Sequence, residues 1–409
     1  MKLPSQTASF LDQHEDQWLA PYAMHSAHST GRTHPEASHP YRGPYQRDRD
    51  RIIHSSAFRR LAHKTQVFTG EMGDYHRTRL THTMEVASIA RTLGRALHLN
   101  EDLIESLALL HDVGHPPFGH SGEDVLDRCL QNHGGFNHNR QALRLAELLE
   151  TRYPDFPGLN LSHEVLNGQK LRALQSEAKQ SEISLKRESV SREHKETSPK
   201  CELDSPEWKL LASKHNLLEM QIVDAADSIA YDTHDADDAL EMGLLELEQL
   251  LDVPLWREAA KKVGQRYPAL SGAPLRRAVV HQLIEILVSD LLTTTQLRLA
   301  KASITSVQAI REHPQVLVTP STEIAAQKGQ LEDFLFAHVY RHPILLKRRS
   351  NTSQALQEMF QNLISKPEQI PADFLPLAHQ TGVPRAVADY LASMTDRFAL
   401  AALEKLRAN

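Results

Sequence analysis

The run Leu107-Ala108-Leu109-Leu110-His111-Asp112-Val113-Gly114-His115-Pro116-Pro117-Phe118-Gly119-His120-Ser121-Gly122-Glu123 decides how the rest of the chain is read. Leu103, Ile104, Leu107, Ala108 and Leu110 mark a buried helix that begins after a capping Asn100 and leads directly into His111-Asp112. Gly114 and Pro116-Pro117 then break it. Imidazole nitrogen next to carboxylate oxygen is a donor mix that holds Zn, Mn, Fe or Co. A histidine–aspartate pair alone is common, so the remaining ligands have to come from elsewhere in the chain.

Working outward, Leu80, Met84, Ala87, Ala90, Leu93 and Leu97 give an amphipathic helix over about 78–99, with His82 beside its apolar stripe. Farther along, Asp224, Asp227 and Tyr231 fall at i, i+3 and i+7, one face of a helix in a run of small residues. An aspartate on such a face is costly unless it is paired or bound to a cation. Taken singly, His82 reads as well as a satisfied core histidine, and Asp227 as an exposed helix charge. Two histidines and two aspartates together (His82, His111, Asp112, Asp227) would leave positions open for water and substrate, as a catalytic metal site requires. The pattern supports a metal-dependent phosphohydrolase and stops there.

The remaining text is helical almost throughout. Helices are expected over 48–61, 121–132, 139–151, 208–232, 236–251, 274–300, 323–349, 351–364 and 384–407, with a loop over 67–75. No alternating run is long enough to suggest a sheet, and only 17 of 409 residues are glycine, so the expected fold class is all-α. The expected organisation is an N-terminal arm (1–46), a catalytic domain (47–350) and a C-terminal helical segment packed on it (351–409). Residues 169–207, rich in Lys, Glu and Ser and poor in large apolar side chains, read as a solvated insertion.

Composition narrows the function. A net charge of −6 argues against bulk nucleic-acid or membrane binding. The two cysteines, Cys129 and Cys201, make neither a disulfide framework nor a CxxC zinc site. Acidic residues near the start, Asp12, Glu15 and Asp16, stand where a signal peptide needs an apolar core, and no apolar run approaches the ~20 residues of a membrane span. The expected location is the cytoplasm, with no membrane partner.

In the order His82, His111-Asp112, Asp227 the chain resembles the HD-domain phosphohydrolases, and within them the dGTPase-like members of the deoxyguanosine triphosphate triphosphohydrolase family. The blocks that carry the resemblance are Arg51-Ile52-Ile53-His54-Ser55-Ser56-Ala57-Phe58-Arg59-Arg60-Leu61, Lys64-Thr65-Gln66-Val67-Phe68 and Tyr75-His76-Arg77-Thr78-Arg79-Leu80-Thr81-His82. The opening motif, Gly134-Gly135-Phe136-Asn137-His138-Asn139, Gly158-Leu159-Asn160-Leu161, the Asp224 to Leu240 stretch and Val339-Tyr340-Arg341-His342-Pro343 complete it. Together they cover about 47–168 and 216–350. Ser228 departs from the pattern, because many relatives carry a second Asp there.

The resemblance implies an all-α HD fold that hydrolyses a deoxynucleoside triphosphate to deoxynucleoside and tripolyphosphate. It implies that His82, His111, Asp112 and Asp227 hold a divalent metal (Mn, Mg or Co, with Zn or Ni also accommodated). His120 and Glu123 would handle the catalytic proton, and His115 and His138 would reach the phosphates. Gln66, Tyr231 and Asp235 would face the sugar, with Tyr340 walling it. A triphosphate carries about four negative charges, which calls for cationic side chains. Arg59, Arg60, Lys64, Arg77 and Arg79 are available near Gln66, with Arg79 one turn before His82. The resemblance also implies a homo-oligomer. It leaves open an allosteric dNTP site and single-stranded DNA as a partner. Two alternatives stand beside this reading: another HD phosphohydrolase acting on a nucleotide or phosphodiester, and a nucleotide-sensing or single-strand-binding protein with little turnover.

Overall fold

The computed structural model describes residues 14–67, 77–188 and 216–408. Among them there is no β-strand, only two isolated bridges, Arg32 with Ser162 and Thr65 with Thr78. The fold is all-α. Most of the expected loop over 67–75, the end of the Lys/Glu/Ser-rich stretch and the expected helix start over 208–215 lie outside the described residues.

The frame of the site is built from eight helices: α1 (Pro44–Ile53), α2 (Ser56–Arg60), α3 (Arg79–Ala96), α4 (Glu101–Leu110), α5 (Gly119–Cys129), α6 (His138–Arg144), α7 (His163–Glu188) and α8 (Leu218–Glu241). Helix α3 packs along both α4 and α8, and α7 packs on α6 and α4. Their starts are chemically specified. Thr78 and Thr81 form a reciprocal capping box at α3, and the Asn100 side chain accepts from Leu103 N at 3.2 Å at α4. Such a cap is worth roughly 1 kcal/mol. The side chains that pack between them, Val86, Ala90, Leu93, Leu103, Ile104, Leu107, Ile222 and Ile229, form the centre of the main core. The described arm residues are part of that core: Ala23 and Met24 are buried, and Met24 N donates to the buried Glu219 at 2.8 Å.

Beyond α8 come α9 (Leu247–Leu250), α10 (Pro254–Arg266), α11 (Gly272–Lys301), α12 (Val307–Glu312) and α13 (Thr322–Leu335). Helix α11 is long and apolar enough to cross a membrane by length and composition. Its buried side chains, Val279, Leu283, Leu287, Leu291, Thr295 and Leu299, recur along one face, and the helix packs on α10 and α8. The last helices are α14 (Pro343–Ser365), α15 (Leu375–Thr381), α16 (Val383–Ala392) and α17 (Asp396–Ala408), of which α14, α16 and α17 form a second core with α5: Phe118, Val125 and Leu126 meet Leu356, Phe360, Leu391 and Leu403.

Several boundaries differ from the expected ones for identifiable reasons. The helix expected over 48–61 is two helices, because Ser55 adopts an extended backbone and caps α2 through its hydroxyl. Residues 233–235, expected between two helices, lie inside the continuous α8, where Thr233, His234 and Asp235 are all buried, as is the preceding Asp232. The helix expected over 323–349 stops in a π-helical turn at Phe336–Tyr340, and Pro343 starts α14, which continues through the expected boundary at 350. The insertion expected from 169 begins too early: α7 runs unbroken from His163 to Glu188, with Leu171 and Ala173 buried.

Candidate metal centre and phosphate cleft

Three helices bring their ligand-type side chains to one point. His82 comes from α3, His111 follows the last turn of α4, and Asp227 lies midway along α8. Their donor atoms all lie within 4.8 Å of one another. The Asp227 Oδ1 is 3.2 Å from His82 Nε2 and 3.7 Å from His111 Nε2. His111 Nδ1 bonds the Ala108 carbonyl at 2.5 Å, which places its proton on Nδ1 and its lone pair on Nε2. That Nε2 is buried and has no hydrogen-bond partner. A buried lone pair facing a second histidine and a carboxylate fits a divalent cation. Burial opposes the charged form of Asp227, yet the facing His111, the His82 hydrogen bond and Arg172 hold its pKa far below the carboxylate range.

Asp112 stands at the edge of this triad. Its Oδ1 is 3.6 Å from His111 Nε2 and 3.2 Å from His115 Nε2, while its Oδ2 accepts from Arg79 Nη1 at 3.0 Å. Burial works against its charge, but Arg79 and the neighbouring histidines keep it ionised.

A second cluster follows across the Pro116-Pro117 turn. The His115 and His138 rings stack at 3.8 Å, an approach that depends on Gly114. A Cβ there would sit 2.0 Å from the His138 carbonyl and 2.3 Å from Ala142 N, so any side chain would push α6 away. Glu123 organises the cluster: one oxygen accepts from His138 N (2.9 Å) and pairs with His138 Nδ1 (2.8 Å), and the other pairs with His120 Nδ1 (3.2 Å). Burial raises the Glu123 pKa, and the facing histidines more than reverse that. His115 is pushed well down, chiefly by burial and then by the Arg79 charge, so its ring is neutral. The His120 side chain is 58% exposed and faces the cleft.

Both clusters line one cleft of about 610 Å³, together with Gln66, Arg79, Asn139, Arg172, Gln175, Asp224, Tyr231, Phe336 and Tyr340. Tyr231 and Tyr340 lie with ring centroids 6.1 Å apart, and the Tyr340 hydroxyl donates to Asp235. Burial pushes the Asp235 carboxyl up to about 7 despite that hydrogen bond. Asp235 is thus behind the tyrosine wall instead of lining the cleft.

Not every expected contact reaches this cleft. Lys64 is buried, with Nζ donating to the carbonyls of His115 (2.5 Å) and Ala392 (2.8 Å), so it fastens the backbone beneath the site. Arg59 is exposed on α2 and does not line the cleft. Arg77 is spent on Glu85 and Asp238. Arg79 does line it, with its guanidinium fixed by Asp112 and the Gln66 carbonyl. Arg172 and Gln175 also line the cleft, although in the sequence they fall within the stretch that reads as a solvated insertion. The signal was present: Val165, Leu166 and Leu171 continue a buried helical stripe past 169.

The fold agrees with comparisons to known proteins. The HD domain family profile matches residues 79–232, and the phosphohydrolase-associated domain matches residues 318–405. The protein is an HD-domain phosphohydrolase. Proteins named deoxyguanosinetriphosphate triphosphohydrolase-like protein are 44% identical in Brucella suis, covering 93% of both chains, and 40% identical in Geobacter sulfurreducens, covering 95% of this chain and 94% of the relative. A third, from Thiobacillus denitrificans, is 40% identical over 93% of this chain and 95% of its own. The chain belongs to the deoxyguanosinetriphosphate triphosphohydrolase-like family.

Proposed function

We propose that the protein hydrolyses a deoxynucleoside triphosphate, dGTP or several dNTPs, to deoxynucleoside and tripolyphosphate with a divalent metal such as Mn, Mg or Co. The observation that carries this reading is the single cleft in which the His82–His111–Asp227 cluster adjoins a histidine relay and a tyrosine wall. His82, His111, Asp227 and Asp112 would hold the metal, which when bound polarises the α-phosphate and supports an attacking water. His115 and His138 present their stacked rings toward the phosphates. Arg79, anchored on Asp112, holds Asp112 ionised for its part in the site. His120 is exposed to the cleft and oriented by Glu123, the arrangement a general acid needs to give a proton to the departing 5′-oxygen as the P–O5′ bond breaks. Tyr231 and Tyr340 offer a flat wall for the sugar, and Asp235 holds the Tyr340 hydroxyl in place.

Incubating the purified protein with each dNTP and Mn tests the reading by its products. Deoxynucleoside plus tripolyphosphate is the expected outcome. Monophosphate plus pyrophosphate, or orthophosphate alone, would assign it to a different phosphohydrolase reaction, and no hydrolysis with Mn or, in parallel assays, with Mg or Co would remove the enzymatic reading.

A further inference from the structure

Arg172 sits against the metal centre from a helix that carries none of the metal-ligand residues. Its place follows from Gly168, one turn earlier on α7. There a Cβ would lie 2.3 Å from Leu107 Cδ2, so glycine lets α7 come down onto α4 just below His111. From that position the guanidinium reaches α8 twice. Its Nε is 2.5 Å from Asp224 Oδ1, and its Nη2 is 3.1 Å from Asp227 Oδ2. The two oxygens of Asp227 are thereby divided, with Oδ2 held by Arg172 and Oδ1 turned to His82 and His111.

We propose that Arg172 is a positioning residue that keeps Asp227 a one-oxygen ligand and holds Asp224 off the metal, so that coordination positions stay open to water and substrate. A carboxylate free to turn can give a cation both oxygens. Asp224 lies one turn from Asp227 on the same face, near enough for one guanidinium to bridge them. Without that bridge, carboxylate oxygens from Asp227 and Asp224 compete for the positions where water and an α-phosphate oxygen have to sit. Arginine suits the task better than lysine, because its planar fork holds two carboxylates in fixed directions.

The proposal rests on the metal reading of the cleft and not on the identity of the substrate, so it is tested with Mn alone. A six-coordinate Mn held by four protein ligands keeps about two waters. Water-proton relaxation measured per bound Mn, without nucleotide, should fall by about half in Arg172→Gln, with Mn bound at least as tightly as in the wild type. Arg172→Met keeps the packed stem and carries the same test if the glutamine variant does not fold. A purely structural role would lower the melting temperature and leave the relaxation per bound Mn unchanged, and that result in both variants overturns the proposal. If the relaxation falls but no dNTP is hydrolysed by the wild type, the assignment of Arg172 stands and the proposed reaction fails. If dNTPs are hydrolysed and the relaxation is unchanged, the reverse holds.

Discussion

The two histidine clusters of the cleft contain similar groups at similar spacing, yet they are finished differently. In His82–His111–Asp227 a buried nitrogen, His111 Nε2, is left without a hydrogen-bond partner and faces the carboxylate. In His115–Glu123–His138 both carboxylate oxygens are engaged, by His120, by His138 Nδ1 and by the His138 backbone. Three donors lie close together in each. A cation entering the second would have to displace the three hydrogen bonds that Glu123 accepts, whereas in the first it displaces one, between His82 and Asp227 Oδ1, and meets a His111 lone pair whose tautomer is fixed by a backbone carbonyl. Proximity of donors therefore does not separate metal chemistry from proton chemistry. A buried nitrogen without a partner occurs in both, at His111 Nε2 and His115 Nδ1, and what separates them is the carboxylate: Asp227 holds one hydrogen bond to a histidine and Glu123 holds three.

Substitutions in the first cluster should have the largest effect. Asp227→Ala or His111→Ala is expected to remove bound Mn and turnover together, with a loss of about 10³-fold or more. Metal analysis alongside a rate assay checks this, and full turnover in either variant would discredit the cluster. Substitutions in the second should split the two readouts. His120→Ala and Glu123→Gln are expected to retain Mn while kcat falls by about 10²–10⁴-fold. Should either lose its Mn in step with its activity, the two clusters are one metal site and the contrast collapses. A smaller effect is expected at the tyrosine wall. Tyr340→Phe leaves the buried Asp235 without its hydroxyl donor, at a cost of about 1–3 kcal/mol, and should raise KM by about tenfold while Mn affinity stays put. Equal KM values in the two proteins would take Tyr340 out of the substrate wall.

The sequence disclosed what helical periodicity could carry. An apolar stripe ending at His111, a second beside His82 and the shared face of Asp224, Asp227 and Tyr231 each named a helix face, and three packed helices bring those faces together. The all-α class followed from the same signal. Periodicity was silent about the contacts that cross between elements. Lys64 and Arg59 were assigned to phosphate by charge and nearness in sequence, but Lys64 fastens two backbone carbonyls and Arg59 points away. Arg172 was hidden by the opposite error: the Lys/Glu/Ser bias after 177 obscured the apolar positions Leu171 and Ala173 that bury the start of that stretch. The buried polar run Asp232 to Asp235 looked like a helix boundary because its partners, Lys328, Tyr340 and Arg77, lie on distant elements.

The last expected effect is on stability, with no direct effect on the chemistry, and concerns the joint between the clusters, where Lys64 holds the His115 carbonyl. Burial draws the Lys64 ammonium down from 10.5 to about 7, with the Arg60 charge acting in the same direction and Asp396 opposing it. An unfolded lysine titrates near about 10.4. Below pH 7 both states carry the proton, and the cost of burying the charge is present in full. From about pH 7 to pH 10 the unfolded chain binds that proton and the folded chain does not, so this group makes stability rise with pH, by at most about 1.4 kcal/mol per unit. Lys64→Met removes the slope and also leaves the carbonyls of His115 and Ala392 without their donor. The stability advantage of the wild type over Lys64→Met, from urea unfolding, should therefore be least at pH 6 and grow steadily to pH 9.5. A difference that does not change with pH would mean that the ammonium is hydrated and that His115 is held in place by the Pro116-Pro117 turn alone.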